Sequence, residues 1–105
     1  MKVILVVMLL TISNLVLAVG NITAVEIDGV YVREERVDVY LKSPHSNPGN
    51  CEVLTQLVLI SGEFKNSELM YSAILSAHMA GKKISGYVYG CHDNRAKLHA
   101  VYIEP

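Results

Sequence analysis

Apolar and polar positions alternate along this chain in a way that predicts β-strands separated by one helix. From residue 37 to 42, Val37, Val39 and Leu41 fall on one side of the backbone, and polar or aromatic residues fall on the other. A period of two is that of a strand with one buried face. Residues 53–60 become apolar on both faces in their second half, which is typical of a strand covered on both sides.

Upstream, the inward face of the predicted first strand changes phase. Val25 and Ile27 share one parity and Val30 and Val32 share the other, so the shift falls at Asp28-Gly29. A two-residue Asp-Gly hairpin would produce it. A single long strand with a bulge beside the glycine would also produce it. We favour the bulge, because only three residues would follow the hairpin turn and free-standing strands typically have about five or six.

A periodicity of 3.6 residues predicts a helix from about Ser67 to Ala80. Asn66 or Ser67 can cap its start, and Gly81 suits the left-handed residue that follows many helices. One broad apolar face is expected to pack on the sheet. Its residues are Leu69, Met70, Ala73, Ile74, Ala77 and Ala80.

A second apolar stripe runs along the same helix through Tyr71, Leu75 and Met79. Residues at i, i+4 and i+8 lie above one another on a helix surface. The stripe is either additional core contact or a subunit interface, because a helix that is apolar nearly all round must be covered by something.

Residues 84–91 and 98–104 are predicted as the last two strands. The element order is therefore strand, strand, strand, helix, strand, strand, with a long bulged first strand. This mainly β pattern with one helix predicts a five-stranded OB-fold barrel. In such a barrel the start of the third strand lies near the end of the fourth, where the sequence places Cys51 and Cys91. We therefore predict a disulfide between these two cysteines.

The amino terminus has the composition of an export signal. Met1-Lys2 is basic, residues 3–17 are mostly apolar, and Ala18-Val19-Gly20 offers small residues for cleavage. We predict a signal peptide at residues 1–20 and a single domain at 21–105 that is secreted or periplasmic in a bacterium. The apolar run is too short and too polar in its middle for a membrane span. Export also fits a disulfide.

Charge and motifs exclude several functions. The chain has 9 basic and 10 acidic residues that are dispersed, so it lacks the basic surface that nucleic-acid binding needs. The dense cluster Arg33-Glu34-Glu35-Arg36 cancels its own charge and is interpreted as a solvated turn. We find no phosphate-binding, zinc-protease, nucleophile-elbow or thiol-redox motif. We therefore expect no enzymatic activity, no catalytic residue, no cofactor and no metal.

The carboxyl-terminal half resembles a known family. The run from Leu69 to Ile84, the tyrosine-bearing strand that ends at Cys91, and the short polar loop and last strand that follow resemble the binding subunits of bacterial AB5 toxins. The likeness is greatest to the subtilase cytotoxin B-like group, and more distant to the cholera and heat-labile enterotoxin B subunits. The enterotoxin subunits, however, tie the cysteine after their fourth strand to one near the amino terminus, whereas here the partner is Cys51.

This resemblance implies an OB-fold subunit in a homopentamer, with the helix lining a central channel, a glycan on the outer surface and a toxin A subunit as partner. It makes Tyr71, Leu75 and Met79 candidates for the contact between subunits. No sugar-binding residue of the family is carried over.

We expect a binding surface formed by loops 43–50 and 92–97 and nearby tyrosines, because OB barrels often bind through loops and an exposed sheet face. Its candidate residues are His45, Asn47, Tyr87, Tyr89, His92, Asn94 and Arg95. The leading hypothesis is a secreted glycan-binding protein. The alternative is a small secreted module, such as an inhibitor or assembly factor, that acts through protein contacts alone.

Overall fold

The computed structural model describes residues 19–105, so the first 18 residues of the predicted signal peptide lie outside the described part. The elements are β1 (Val19–Val32), β2 (Arg36–Leu41), β3 (Val53–Ile60), α1 (Ser67–Ala80), β4 (Lys83–His92) and β5 (Arg95–Ile103). The strands form a closed barrel in the order β1-β2-β3-β5-β4. Among the five strands of the described residues, only β3 and β5 are parallel neighbours. The predicted five-stranded OB-fold barrel is confirmed.

The phase change in β1 is a bulge within one long strand. Ile27 pairs with Leu41 and Gly29 with Tyr40, which leaves Asp28 as the extra residue. The preference for a bulge over a hairpin is therefore confirmed. A second irregularity lies between Ile22 and Val25, where β1 pairs with β4. The two shifts let a strand of 14 residues curve around the barrel while it keeps its inward face.

Val30 and Val32, at the end of β1, were both expected to face the core, and this expectation is confirmed only for Val30. Val30 packs against the core, whereas Val32 is exposed. Beyond Glu26, β1 no longer pairs with β4, and its last residues pair only with β2. Val32 therefore lies on a two-stranded ribbon outside the closed part of the barrel.

Helix α1 buries a narrower face than its sequence predicts. Met70, Ile74 and Ala77 are buried, at the i, i+4, i+7 spacing of one helix face. Leu69 is 68% exposed and Ala80 is also exposed, so their assignment to the core was wrong. A straight helix packed on a small barrel contacts it along one line, and side chains to either side of that line stay in solvent.

The helix ends as its sequence predicts. Gly81 has the left-handed φ of 67°, and the N–H groups of Gly81 and Lys82 donate to the carbonyls of His78 and Ala77. This pattern satisfies carbonyls that the last turn would otherwise leave free. At the start, Asn66 occupies the capping position without a side-chain hydrogen bond. The Ser67 hydroxyl instead accepts a hydrogen bond from the Gly62 N–H at 3.2 Å and holds the preceding loop.

The predicted disulfide is present. Cys51 and Cys91 are bonded, with their Cα atoms 5.9 Å apart. Cys51 precedes β3 and Cys91 lies near the end of β4. These two strands do not pair with each other, because β5 lies between them. The bond therefore joins segments that the hydrogen bonds of the sheet leave separate.

We predict that Cys51→Ser lowers the free energy of unfolding by about 2–5 kcal/mol, as for a native disulfide in a small secreted domain. Urea unfolding of the oxidised protein and the variant measures this loss. Cys91→Ser is the matched control and should cost the same, because either change removes the same bond. An unaltered free energy of unfolding in both variants would show that the bond does not stabilise the fold.

Candidate functional site

A shallow groove crosses the outer surface of the barrel where β1, β4 and β5 meet. We call it the tyrosine groove, and its cavity volume is about 290 Å³. It is lined by Asn21, Ile22, Ser85, Gly86, Tyr87, Ala100, Val101 and Tyr102. None of these side chains carries a formal charge.

Two exposed tyrosines bound the tyrosine groove. Tyr87 pairs with Ala100 across the β4–β5 ladder, and Tyr102 lies two residues further along β5. The two tyrosines are therefore diagonal neighbours, at a separation of about 7–8 Å. Both rings remain accessible to solvent. Both side chains can therefore contact a molecule that occupies the groove.

The floor of the groove is made of small residues. Gly86 pairs with Val101, and a Cβ added to Gly86 would lie 2.1 Å from the Ala100 carbonyl oxygen. No larger residue fits there without displacing the β5 backbone. Ala100 adds only a methyl group, so the floor stays low between the tyrosine rings.

Two polar side chains lie along the groove. Asn21 of β1 is paired with Tyr87, and Ser85 of β4 is paired with Tyr102. An amide and a hydroxyl can each donate and accept hydrogen bonds. The groove therefore combines apolar ring faces with neutral hydrogen-bonding groups.

Of the candidate residues named from the sequence, only Tyr87 lines the tyrosine groove. Tyr89 is also exposed, but its ring lies 5.5 Å from the ring of His99, which in turn lies 4.7 Å from Phe64. These centroid distances define a separate aromatic cluster on the β4–β5 surface.

His45 and Asn47 lie inside their loop. Only 4% of His45 is exposed, and its Nδ1 accepts a hydrogen bond from the Asn47 N–H at 2.9 Å. The Asn47 side chain donates to the Cys51 carbonyl and accepts from the Cys51 N–H, both at 2.8 Å. These contacts anchor the loop beside the disulfide, so we leave both residues out of the proposed site.

The other three candidates belong to the turn between β4 and β5. Asp93 and Asn94 both have positive φ, and His92 pairs with Arg95, as in a two-residue hairpin of type I′. The Arg95 guanidinium donates to the Gln56 side chain and, at 2.7 Å, to the Asp93 carbonyl. Asn94 and Arg95 therefore have evident structural roles in the turn.

The cluster Arg33-Glu34-Glu35-Arg36 is more than the solvated turn that its sequence indicates. Arg33 and Arg36 lie 3.1 and 3.2 Å from the two carboxylate oxygens of Asp38, a residue that is only 1% exposed. Arg33, Glu34 and Glu35 are exposed, as a solvated turn requires, whereas Arg36 is half-buried; the two arginines compensate the charge of the buried carboxylate.

Arg36 also reaches the β4–β5 turn. Its Nη1 donates to the Asp93 carboxylate at 2.7 Å, and this hydrogen bond holds the pKa of Asp93 below its ordinary value. A depression of about 480 Å³ lies between the two turns. Its lining residues are Arg33, Glu34, Glu35, Arg36, Ile60, His92 and Asp93. Of these residues, Arg33, Arg36 and Asp93 take part in ion pairs, which gives them a structural role.

The helix presents a largely uncharged outer face. Leu69, Ser72, Ser76 and Met79 follow one another at helical spacing, and Met79 is 86% exposed. We call these four residues the helix outer face. In the predicted stripe, Tyr71 packs against the core and Leu75 is half-buried, so Met79 alone is fully exposed.

Within residues 19–105, no three His, Cys, Asp or Glu side chains come close enough together to hold a metal ion. Over the same range, no helix has the length and apolar character that a membrane crossing requires. Comparison with known proteins found no matching family model, no significant match among curated proteins and none among solved structures.

The buried imidazole of His45 makes stability depend on pH. Burial lowers the pKa of His45 below its ordinary 6.5, an effect that the Val53 carbonyl opposes. His45 therefore binds a proton more readily in the unfolded chain than in the folded protein. The contribution of the neutral, buried imidazole to the free energy of unfolding is complete above pH 6.5 and is lost as the pH falls. We predict that the free energy of unfolding falls by up to about 1.4 kcal/mol per pH unit between pH 6.5 and the lower pKa of His45 in the folded protein, and that the loss levels off below that pKa.

The control for this prediction is His45→Gln, which removes the titrating group. Urea unfolding at pH 7.5 and pH 5 should show the wild type more stable than the variant at pH 7.5, with a smaller difference at pH 5. A difference that stays constant with pH would show that His45 does not couple protonation to folding.

Proposed function

We propose that this chain is an exported, non-enzymatic binding protein that holds a glycan in the tyrosine groove. The observation that carries the proposal is the diagonal placement of two accessible tyrosines, Tyr87 and Tyr102, beside the small residues Gly86 and Ala100. Tyrosine rings offer an apolar face and a polar tip, which suits the alternating C–H and O–H surfaces of a sugar. The groove is open and shallow, so a terminal sugar of a longer chain could enter it from solvent.

The polar groups of the groove fit the same ligand class. Asn21 and Ser85 supply donors and acceptors that can pair with sugar hydroxyls. Binding sites of this kind combine apolar and aromatic walls with a few placed polar groups that set orientation. The resemblance to toxin B subunits supports the glycan assignment independently of the groove.

Export is part of the proposal. It is supported by the basic and apolar amino-terminal sequence and by the disulfide, which oxidising compartments maintain. Assembly is also part of it. The helix outer face leaves Leu69 and Met79 uncovered in a single chain, and a neighbouring copy would cover them. The resemblance gives the number of copies as five and adds a toxin A subunit as partner.

A second candidate function is a protein-interaction module without glycan binding. The helix outer face favours it, because exposed apolar residues that alternate with small serines suit contact with another protein. Glycan binding by the purified protein separates the two functions.

We predict that an immobilised glycan array detects binding, and that Tyr87→Ala and Tyr102→Ala each weaken the affinity for the best glycan about tenfold, equal to about 1.4 kcal/mol. Titration calorimetry measures the change. Tyr89→Ala is the matched control, since Tyr89 is also an exposed tyrosine of β4 but lies outside the groove. No binding at high protein concentration would favour the interaction module, and loss of binding only in Tyr89→Ala would place the site elsewhere.

We also predict that light scattering shows an oligomer at micromolar concentration. Met79→Lys should shift the mass toward that of a monomer, because it places a charge on the helix outer face. Leu54→Lys is the control, since Leu54 is an exposed apolar residue at the opposite end of β3 from the helix. A monomeric wild type would show that the helix outer face does not mediate self-association.

A further inference from the structure

We infer that two copies of this chain pair through the helix outer face, with their α1 helices antiparallel about a two-fold axis. This inference rests on the proposed self-association and gives it two copies, where the resemblance gives five. The exposed residues of α1 lie on the side of the helix opposite Ile74, which is fully buried in the core. They are Glu68, Leu69, Ser72, Ser76, Met79 and Ala80.

The spacing of these exposed residues is the same from either end of the helix. Ser72 and Ser76 are each two positions from Ile74, and Leu69 and Met79 are each five positions from it. An antiparallel contact centred at the level of Ile74 therefore sets Ser72 of one copy beside Ser76 of the other, and Leu69 beside Met79. In a two-fold contact each of these pairs occurs twice. The serines at the centre let the helix axes approach to about 8 Å, and apolar side chains meet at both ends.

The charges at the two ends of the helix favour the antiparallel direction. Glu68 is the only charged residue among the exposed residues of the described helix, and Lys82 and Lys83 follow its last turn. In the antiparallel contact, Glu68 of one copy lies near the two lysines of the other, and the helix dipoles are opposed. Lys65, before the first turn, offsets part of this attraction. A parallel contact would instead bring each of these charges beside its own copy, where like charges repel.

An apolar cavity lies where the antiparallel contact places Met79 of the second copy. The two-fold axis is perpendicular to the plane of the two helices, so each residue stays on its own flank of the contact. Met79 shares one flank of α1 with Ser72 and Glu68. Met79 of the second copy therefore reaches the flank where Glu68 and Tyr71 border a cavity of about 220 Å³. The other walls of this cavity include Val32, Val37 and Leu59.

The side chain of Met79 is suited to that cavity. It is 86% exposed in the single chain, so its burial by a second copy removes apolar surface from water. Methionine is unbranched and flexible, and it fills irregular apolar gaps. The contact thus covers both exposed apolar residues of the helix outer face, since Leu69 lies at the same level as Met79 of the second copy.

Light scattering of the purified protein, with its native disulfide intact, tests the number of copies. The expected mass at micromolar concentration is that of two chains. A mass of five chains would overturn the two-fold pair and leave the proposed self-association standing. A mass of one chain would overturn both.

Cysteine cross-linking tests the direction of the helices. A disulfide requires Cβ atoms about 4 Å apart, and in the antiparallel contact the close neighbour of Ser72 is Ser76 of the second copy. Isotopically labelled Ser72→Cys mixed with unlabelled Ser76→Cys should therefore form a mixed covalent dimer under mild oxidation, detected by intact mass. Either variant alone should cross-link more slowly. Both serines are exposed, so neither change disturbs the core.

The control for random collisions is Leu54→Cys, because Leu54 is an exposed apolar residue of β3 outside the helix. It should cross-link more slowly than the mixed pair. Faster cross-linking of Ser72→Cys with itself than with Ser76→Cys would indicate parallel helices and overturn the inference. Equal rates in all pairings, Leu54→Cys included, would show that the helices make no specific contact and would also overturn it.

Discussion

The bond between Cys51 and Cys91 spans β5 and fixes the start of β3 relative to the end of β4. The Asn47 side chain holds both backbone groups of Cys51, so the loop before β3 is fixed at the same point. Because β4 also pairs with β1, this one position influences the ladder that carries the tyrosine groove. A domain of this size buries a limited core, which is why a covalent constraint matters here.

On another part of the surface, ion pairs connect the β1–β2 turn to the β4–β5 turn. Asp38 is buried on the outer face of β2 and is compensated by Arg33 and Arg36, and Arg36 continues to Asp93 in the β4–β5 turn. A buried carboxylate without such partners would carry a large desolvation cost. The charged region that stabilises the fold is therefore separate from the uncharged tyrosine groove.

Local patterns in the sequence predicted the strand order, the bulge at Asp28, the limits of α1 and the disulfide, because each depends on periodicity or on residues with strong backbone preferences. They did not predict which apolar helix residues are exposed. Leu69 and Met70 are both apolar, and only the position of the barrel relative to the helix makes Leu69 exposed and Met70 buried. The tyrosine groove was also missed, apart from Tyr87, because it combines residues from three strands. On β5, the two-residue spacing of Ala100 and Tyr102 was the available signal, because residues two apart lie on the same face of a strand.

Amide hydrogen exchange on the oxidised and reduced protein tests most directly whether the Cys51–Cys91 bond organises the groove side of the barrel. Reduction is predicted to lower protection first at the end of β4, in the loop at residues 43–50 and at the start of β1. The pairing of β2 with β3, which the bond does not bridge, should keep its protection longer. Equal loss across all strands, or no change on reduction, would contradict the account.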